Sequence, residues 1–188
     1  VLTEHGDLLL EKSPNAGCTE LREAIKRYLV QNRGISVGTE QIIIGSGSEY
    51  LYRLIVELLG RDRVFAIGSP SYKKIEQVYI STEIEYESLP LTQTGIDGNA
   101  LKSSSADVLH TTPYRSYPSG VTASASKRNE YITWAISRNG IIIEDDFNSE
   151  FTLSTKNEDT VFSLEPANSV IYVNTFTKTI APSMRIGY

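Results

Sequence analysis

The 188-residue chain is 40% hydrophobic and 22% charged and holds one cysteine, Cys18, a balance that suits a globular domain with its own core and excludes a disulfide framework or a cysteine-built zinc site. Its net charge of −5, with Lys and Arg scattered along the chain, argues against a nucleic-acid-binding face. No apolar run reaches membrane-spanning length, Val1–Glu4 does not read as a signal peptide, and the lone thiol fits a reducing compartment, the cytoplasm.

Leu21, Ile25, Tyr28 and Leu29 fall at helical spacing and predict a helix over Thr19–Arg33, ended by Gly34. Gln41–Gly45 reads as a strand and Ser48–Leu59 as a helix stopped by Gly60. A strand over Arg63–Gly68, a helix over Pro70–Val78, an alternating strand over Glu83–Ser88, a turn over Thr92–Gly98 and a short strand over Asp107–Thr111 follow. Ser124–Asn139 predicts a helix with Gly140 as its stop. Ile141–Glu144 and Val170–Val173 are β-branched and unalternating, as strands buried on both faces are; a polar loop, Lys156–Thr160, lies between them. Helix and strand alternate, so the class is α/β with a mainly parallel sheet.

In such sheets ligands bind beyond the carboxyl ends of the strands. After the first strand, Ser46-Gly47-Ser48-Glu49 runs into a helix and would offer backbone N–H groups to an anion; a plain strand-to-helix turn has the same composition. Ser69-Pro70-Ser71-Tyr72 places an aromatic that either stacks on a flat ring or joins the core. The loop Thr112–Gly120 carries Arg115 and Tyr117. Asp145 and Asp146 end the strand-like run Ile141–Glu144, with its three isoleucines, and are costly to bury without a cationic partner; a protonated ring nitrogen, a metal and a helix N-cap are the alternatives. Lys178 sits among Thr175, Thr177, Thr179 and Ser183, with Arg185 beyond. An anion cradle, a ring-stacking aromatic, an acid and an amine together match the parts of pyridoxal 5′-phosphate.

The segments Glu20–Ile25, Ile44–Glu49, Thr112-Pro113 with Tyr117–Thr122, Ile143–Phe151 and Thr175–Tyr188 resemble, in order, those of fold-type-I pyridoxal-phosphate enzymes. They are most similar to the aminotransferase-like domain of MocR-type regulators of the GntR superfamily. The resemblance implies a three-layer α/β/α large domain with Lys178 in Schiff-base linkage to pyridoxal 5′-phosphate. Asp145 would face the pyridinium nitrogen and Tyr72 the ring. Gly47, Ser48, Glu49, Thr175, Thr177 and Arg185 would hold the phosphate. Phe147 stands where the family usually has a tyrosine that donates to the cofactor's phenolic oxygen, which implies a raised pKa for the Schiff base. Tyr114-Arg115-Ser116 departs from a frequent Ser-His-Gln, and Arg115 would meet either a ligand carboxylate or an acidic neighbour.

The resemblance further implies that residues 1–188 are a fragment of the large domain, since the chain opens on Val1 and stops inside the apolar run Met184–Tyr188. A DNA-binding winged helix-turn-helix would lie upstream and a small C-terminal domain downstream. It implies a homodimer in the full protein, contact with DNA only through the upstream domain, and an amino-acid or amine ligand. Transaminase chemistry, as in a free-standing class I/II aminotransferase, is the rival expectation.

Overall fold

The computed structural model describes residues 6, 11–148, 159–165 and 169–188. Helix α1 (Thr19–Arg33) buries Ile25 and Leu29 and ends where Gly34, at φ 65°, turns its N–H back to the Leu29 carbonyl. Helix α2 (Ser48–Leu59) follows an N-cap glycine, Gly47. Then come β1 (Phe65–Ser69), α3 (Lys73–Ser81), β2 (Tyr86–Thr92), β3 (Gly95–Ile96), α4 (Gly98–Ser103) and β4 (Val108–Thr111). The described chain closes with α5 (Ala125–Arg138), β5 (Ile141–Asp145), α6 (Val161–Leu164) and β6 (Val170–Val173).

The strands pair in the order β3-β2-β1-β4-β5-β6, with every pair parallel except the β2–β3 hairpin. Alternation along each strand sorts side chains to the two faces. Ala66, Leu109 and Ile142 pack with Tyr131, Trp134 and Ala135 of α5. Their neighbours Phe65, Ile67, Val108 and Ile143 pack with α2 and α3 on the other side. Helices therefore cover both faces, the three-layer α/β/α arrangement that the resemblance implies. The chain leaves β1 for β2 on one side and later returns to β4 on the other, so the strand order reverses between β1 and β4.

Five readings of the sequence shift. Gln41–Gly45 is not a continuous strand: Thr39–Gln41 is a 3-10 turn, and only Gly45 pairs, with Gly187. The partner is remote in sequence and itself bridges to Thr175, so local pattern could not set the length of pairing. The helix after Pro70 starts at Lys73 and runs to Ser81, and the strand read over Glu83–Ser88 lies at Tyr86–Thr92, in register with Phe65–Ser69. The turn at Thr92–Gly98 contains the β2–β3 hairpin and Asp97, whose carboxylate caps α4 through the Asn99 and Ala100 N–H groups. Helix α5 stops at Asn139, which takes the left-handed conformation itself, rather than at Gly140. In the polar loop, residues 156–158 lie outside the described residues, as do 149–151 of the acidic motif.

Candidate functional site

At the carboxyl ends of the strands lies a cavity of about 190 Å³. Ser48, Glu49, Tyr72, Tyr117, Phe147, Thr175, Thr177, Lys178 and Arg185 bound it, together with Tyr52. Nine of the residues singled out from the sequence thus meet around one space, although they come from five separate stretches of chain.

One end of the cavity is an anion cradle. Gly47 sits at φ 85° before the first turn of α2, where Ser48 and Glu49 present their backbone N–H groups along the helix dipole. The φ of Gly47 favours glycine, and a Cβ built there would come within 2.8 Å of Arg185 Nη2 and push the guanidinium aside. Across from it, the Thr175 and Thr177 hydroxyls are 2.7 Å apart. Thr175 also donates to the Ile186 carbonyl at 2.8 Å, which ties this hydroxyl pair to the segment bearing Arg185. Gly187 closes the cradle from behind: its backbone exchanges hydrogen bonds of 2.8 and 2.9 Å with Gly45, and a Cβ there would meet the Gly47 backbone at 2.9 Å.

The other end is aromatic and holds the amine. Tyr72 stacks on Phe147 with ring centroids 6.2 Å apart, and Tyr117 meets Tyr72 edge-on. Lys178 Nζ lies 4.1 Å from the Phe147 ring centroid and donates to Asn148 Oδ1 at 2.9 Å. Asn148 in turn donates to the Arg115 carbonyl at 2.9 Å. Partial burial pulls the Lys178 pKa below its ordinary value, and the charge of Asp145 opposes that shift. The Arg115 side chain is exposed and is not among the residues bounding the cavity; its contribution here is the backbone carbonyl.

Behind the cavity sits Asp145, fully buried. Strand alternation puts Asp145 of β5 and His110 of β4 on the face covered by α2 and α3. Tyr52 of α2 donates its hydroxyl to Asp145 Oδ2, and His110 Nε2 lies 3.8 Å from the same oxygen. His110 Nδ1 is 2.5 Å from the Tyr79 hydroxyl of α3. Burial pushes both tyrosines well above the ordinary phenol pKa, with Asp145 adding to the effect, so both hydroxyls remain protonated donors. The other oxygen, Asp145 Oδ1, is buried with no hydrogen-bond partner among the described residues.

Neither Tyr52 nor His110, Tyr79 or Asn148 stands out in the sequence. Tyr52 carried one signal, since it lies one helical turn beyond Ser48 and so shares its face. The rest depend on strand order. The second acid, Asp146, points elsewhere: Arg33 at the end of α1 pairs with it at 2.6 Å, and the Tyr172 hydroxyl donates to it at 2.6 Å. No cluster of metal-ligating side chains occurs among the described residues, and no described helix is long and apolar enough to cross a membrane.

The fold is a doubly wound α/β domain with a helix N-terminus, an amine and a buried acid gathered at its strand ends. The chain belongs to the aminotransferase class I and II family, whose model matches residues 5–188. It is 28% identical over 187 residues to the uncharacterized HTH-type transcriptional regulator YdeL of Bacillus subtilis, covering all of this chain and 40% of that protein. Identity is again 28%, over 176 residues, to the HTH-type pyridoxine biosynthesis transcriptional regulator PdxR of Corynebacterium glutamicum, covering 94% of this chain and 38% of the regulator. Among solved structures, the kynurenine aminotransferase of Pyrococcus horikoshii, in complex with PMP, superposes with a TM-score of 0.88 at 29% identity, over 99% of this chain and 48% of that one. The chain thus spans about two fifths to one half of these relatives.

Proposed function

We propose that this cavity binds pyridoxal 5′-phosphate and that the chain is the ligand-sensing, aminotransferase-like core of a MocR-type transcriptional regulator of the GntR superfamily. The observation that carries the cofactor assignment is the unpaired, buried Asp145 Oδ1, one layer from an amine and an anion cradle. A buried carboxylate oxygen without a donor is costly, and a protonated ring nitrogen would satisfy it. The cradle fits a phosphate for the same kind of reason, because a side chain at Gly47 would fill it. Bound there, the cofactor supplies an aldehyde for covalent capture of amines and an electron-accepting ring.

The residues divide the work. The first turn of α2, the paired threonine hydroxyls and Arg185 hold the phosphate. Tyr72 covers a ring face. Lys178, its pKa lowered by partial burial, has more of its amine in the nucleophilic, unprotonated form than a solvated lysine has, and Asn148 fixes where that amine points. Identity to two HTH-type regulators over nearly the whole chain supports the regulator reading. The full protein would be a cytoplasmic homodimer that recognises an amino acid or amine in this core. It would contact DNA only through a winged helix-turn-helix upstream of residues 1–188, and a small domain would follow them.

The second reading, a free-standing aminotransferase, is favoured by the likeness to the kynurenine aminotransferase; Lys178 would then also take and return the α-proton of an amino acid. Two measurements decide. Full-length protein mixed with pyridoxal 5′-phosphate and reduced with borohydride should carry a pyridoxyl mass on Lys178, and K178A should not; absence of label on the wild type at saturating cofactor overturns the cofactor assignment. The coding sequence upstream of Val1 should encode a winged helix; a start codon at or next to Val1 would favour the enzyme.

A further inference from the structure

Asp145 does not bound the cavity; Tyr52 does. The other tyrosine hydroxyls there belong to Tyr72 and Tyr117, which are half-buried and exposed, whereas Tyr52 is 2% exposed. Phe147 brings no hydroxyl. Tyr52 is thus the buried phenol of the cavity wall, and its hydroxyl is spent on Asp145 Oδ2. The Tyr52 hydroxyl is thus the donor on Oδ2, with His110 Nε2 3.8 Å away, and Oδ1 has no donor among the described residues. A carboxylate gripped at one oxygen has a fixed rotamer and a fixed direction for the other.

Resting on the cofactor reading above, we propose that Tyr52 is a positioning residue: its hydroxyl locks the Asp145 carboxylate so that Oδ1 is presented to the protonated ring nitrogen of the bound cofactor. The role is supplied by helix α2, the same helix whose first turn forms the anion cradle. One rigid element therefore sets both the phosphate position, at Gly47–Glu49, and the ring-nitrogen contact, one turn later. Ser48 lies against the Tyr52 hydroxyl and links the two. His110, bonded to Tyr79, packs beside the carboxylate from the strand side. A phenol at this place strengthens the acid's hold on a cationic N–H without adding a charge to the cavity.

The test compares pyridoxal 5′-phosphate with its 1-deaza analogue, in which C–H replaces the ring nitrogen, on full-length wild type and Y52F. Tyr52 acts through the ring nitrogen, so Y52F should weaken binding of pyridoxal 5′-phosphate about tenfold, the worth of one charge-assisted hydrogen bond. It should leave binding of the deaza analogue unchanged. Equal weakening of both ligands would mean that Tyr52 only supports the fold, and no weakening of either would mean that it does not position Asp145; each result overturns the proposal while leaving the cofactor reading intact. Failure of the wild type to bind pyridoxal 5′-phosphate at all would remove both. If Y52F does not fold, wild-type protein labelled with ¹³Cζ-tyrosine serves instead. The Tyr52 resonance must move on adding pyridoxal 5′-phosphate and move less with the deaza analogue, and equal shifts refute the role.

Discussion

Replacing Gly47 by alanine isolates the anion cradle from the rest of the site. Gly47 sits at φ 85°, where an L-residue pays about 1–2 kcal/mol. The new Cβ would also lie 2.8 Å from Arg185 Nη2 and 3.1 Å from Cζ, closer than such atoms approach, so one of them must move. Arg185 is exposed and its guanidinium is the far end of a flexible side chain, so it swings away at little cost in stability. Two effects of different kind follow. The domain's thermal midpoint should fall by about 2–8 °C, from the backbone strain spread over a domain of this size. Affinity for pyridoxal 5′-phosphate should fall about tenfold, as one charge-assisted hydrogen bond to the phosphate, about 1.5 kcal/mol, is lost. Pyridoxal, which lacks the phosphate, provides the control: its affinity should not change. Titrating both ligands into full-length G47A and wild type reads the difference directly. If pyridoxal weakens as much as pyridoxal 5′-phosphate, or if neither changes, Gly47 and Arg185 do not form a phosphate cradle.

Arg33→Met strands the buried Asp146 carboxylate and should cost about 3 kcal/mol, the low end for breaking a buried pair because the Tyr172 hydroxyl still bonds it; urea unfolding checks this, and a loss below about 1 kcal/mol would show that the pair is not structural. Burial, with Asp146 adding, pushes the Glu144 pKa from 4.5 up to about 8, against the pull of the Val161 and Phe162 N–H groups and Arg33. Between those values the folded chain holds a proton that the unfolded chain has released, so stability should fall as pH rises from about 5 to about 8, by at most about 1.4 kcal/mol per pH unit. E144Q should flatten that slope, and an unchanged slope would remove Glu144 as its source. Phe147→Tyr returns a hydroxyl to the edge of the cofactor site and should lower the pH midpoint of the bound cofactor's visible absorbance by about one unit, the worth of one hydrogen bond to a charged group; an unmoved midpoint would place residue 147 away from the phenolic oxygen.

The motif Glu144-Asp145-Asp146 illustrates what sequence could and could not yield. Helix ends were legible because they are local. Gly34 turns back α1, and Ser124 caps α5. Nine of the cavity-bounding residues were legible because they lie in turns and loops between elements that local pattern marks, or in a helix's first turn, whereas Tyr52, further inside α2, was not. The destinations of the three acids were not, since each is decided by a partner remote in the chain. Glu144 points away from α2 and caps α6 through the Val161 and Phe162 N–H groups, both at 2.8 Å. Asp145 takes the opposite face and meets Tyr52 and His110. Asp146, beyond the strand, turns to Arg33 at the end of α1, a residue that the sequence pattern marks only as a helix terminus. Three adjacent carboxylates directed at one space would repel one another and depress their own ionisation. The two-residue period of β5 instead sends them to a helix N-terminus, a phenol–imidazole pair and a guanidinium. Asp145 keeps one oxygen, Oδ1, buried without a hydrogen-bond partner among the described residues. The neighbouring acids are committed to holding the fold in place around it, a division of labour that fits the proposed role of Asp145 toward a ligand.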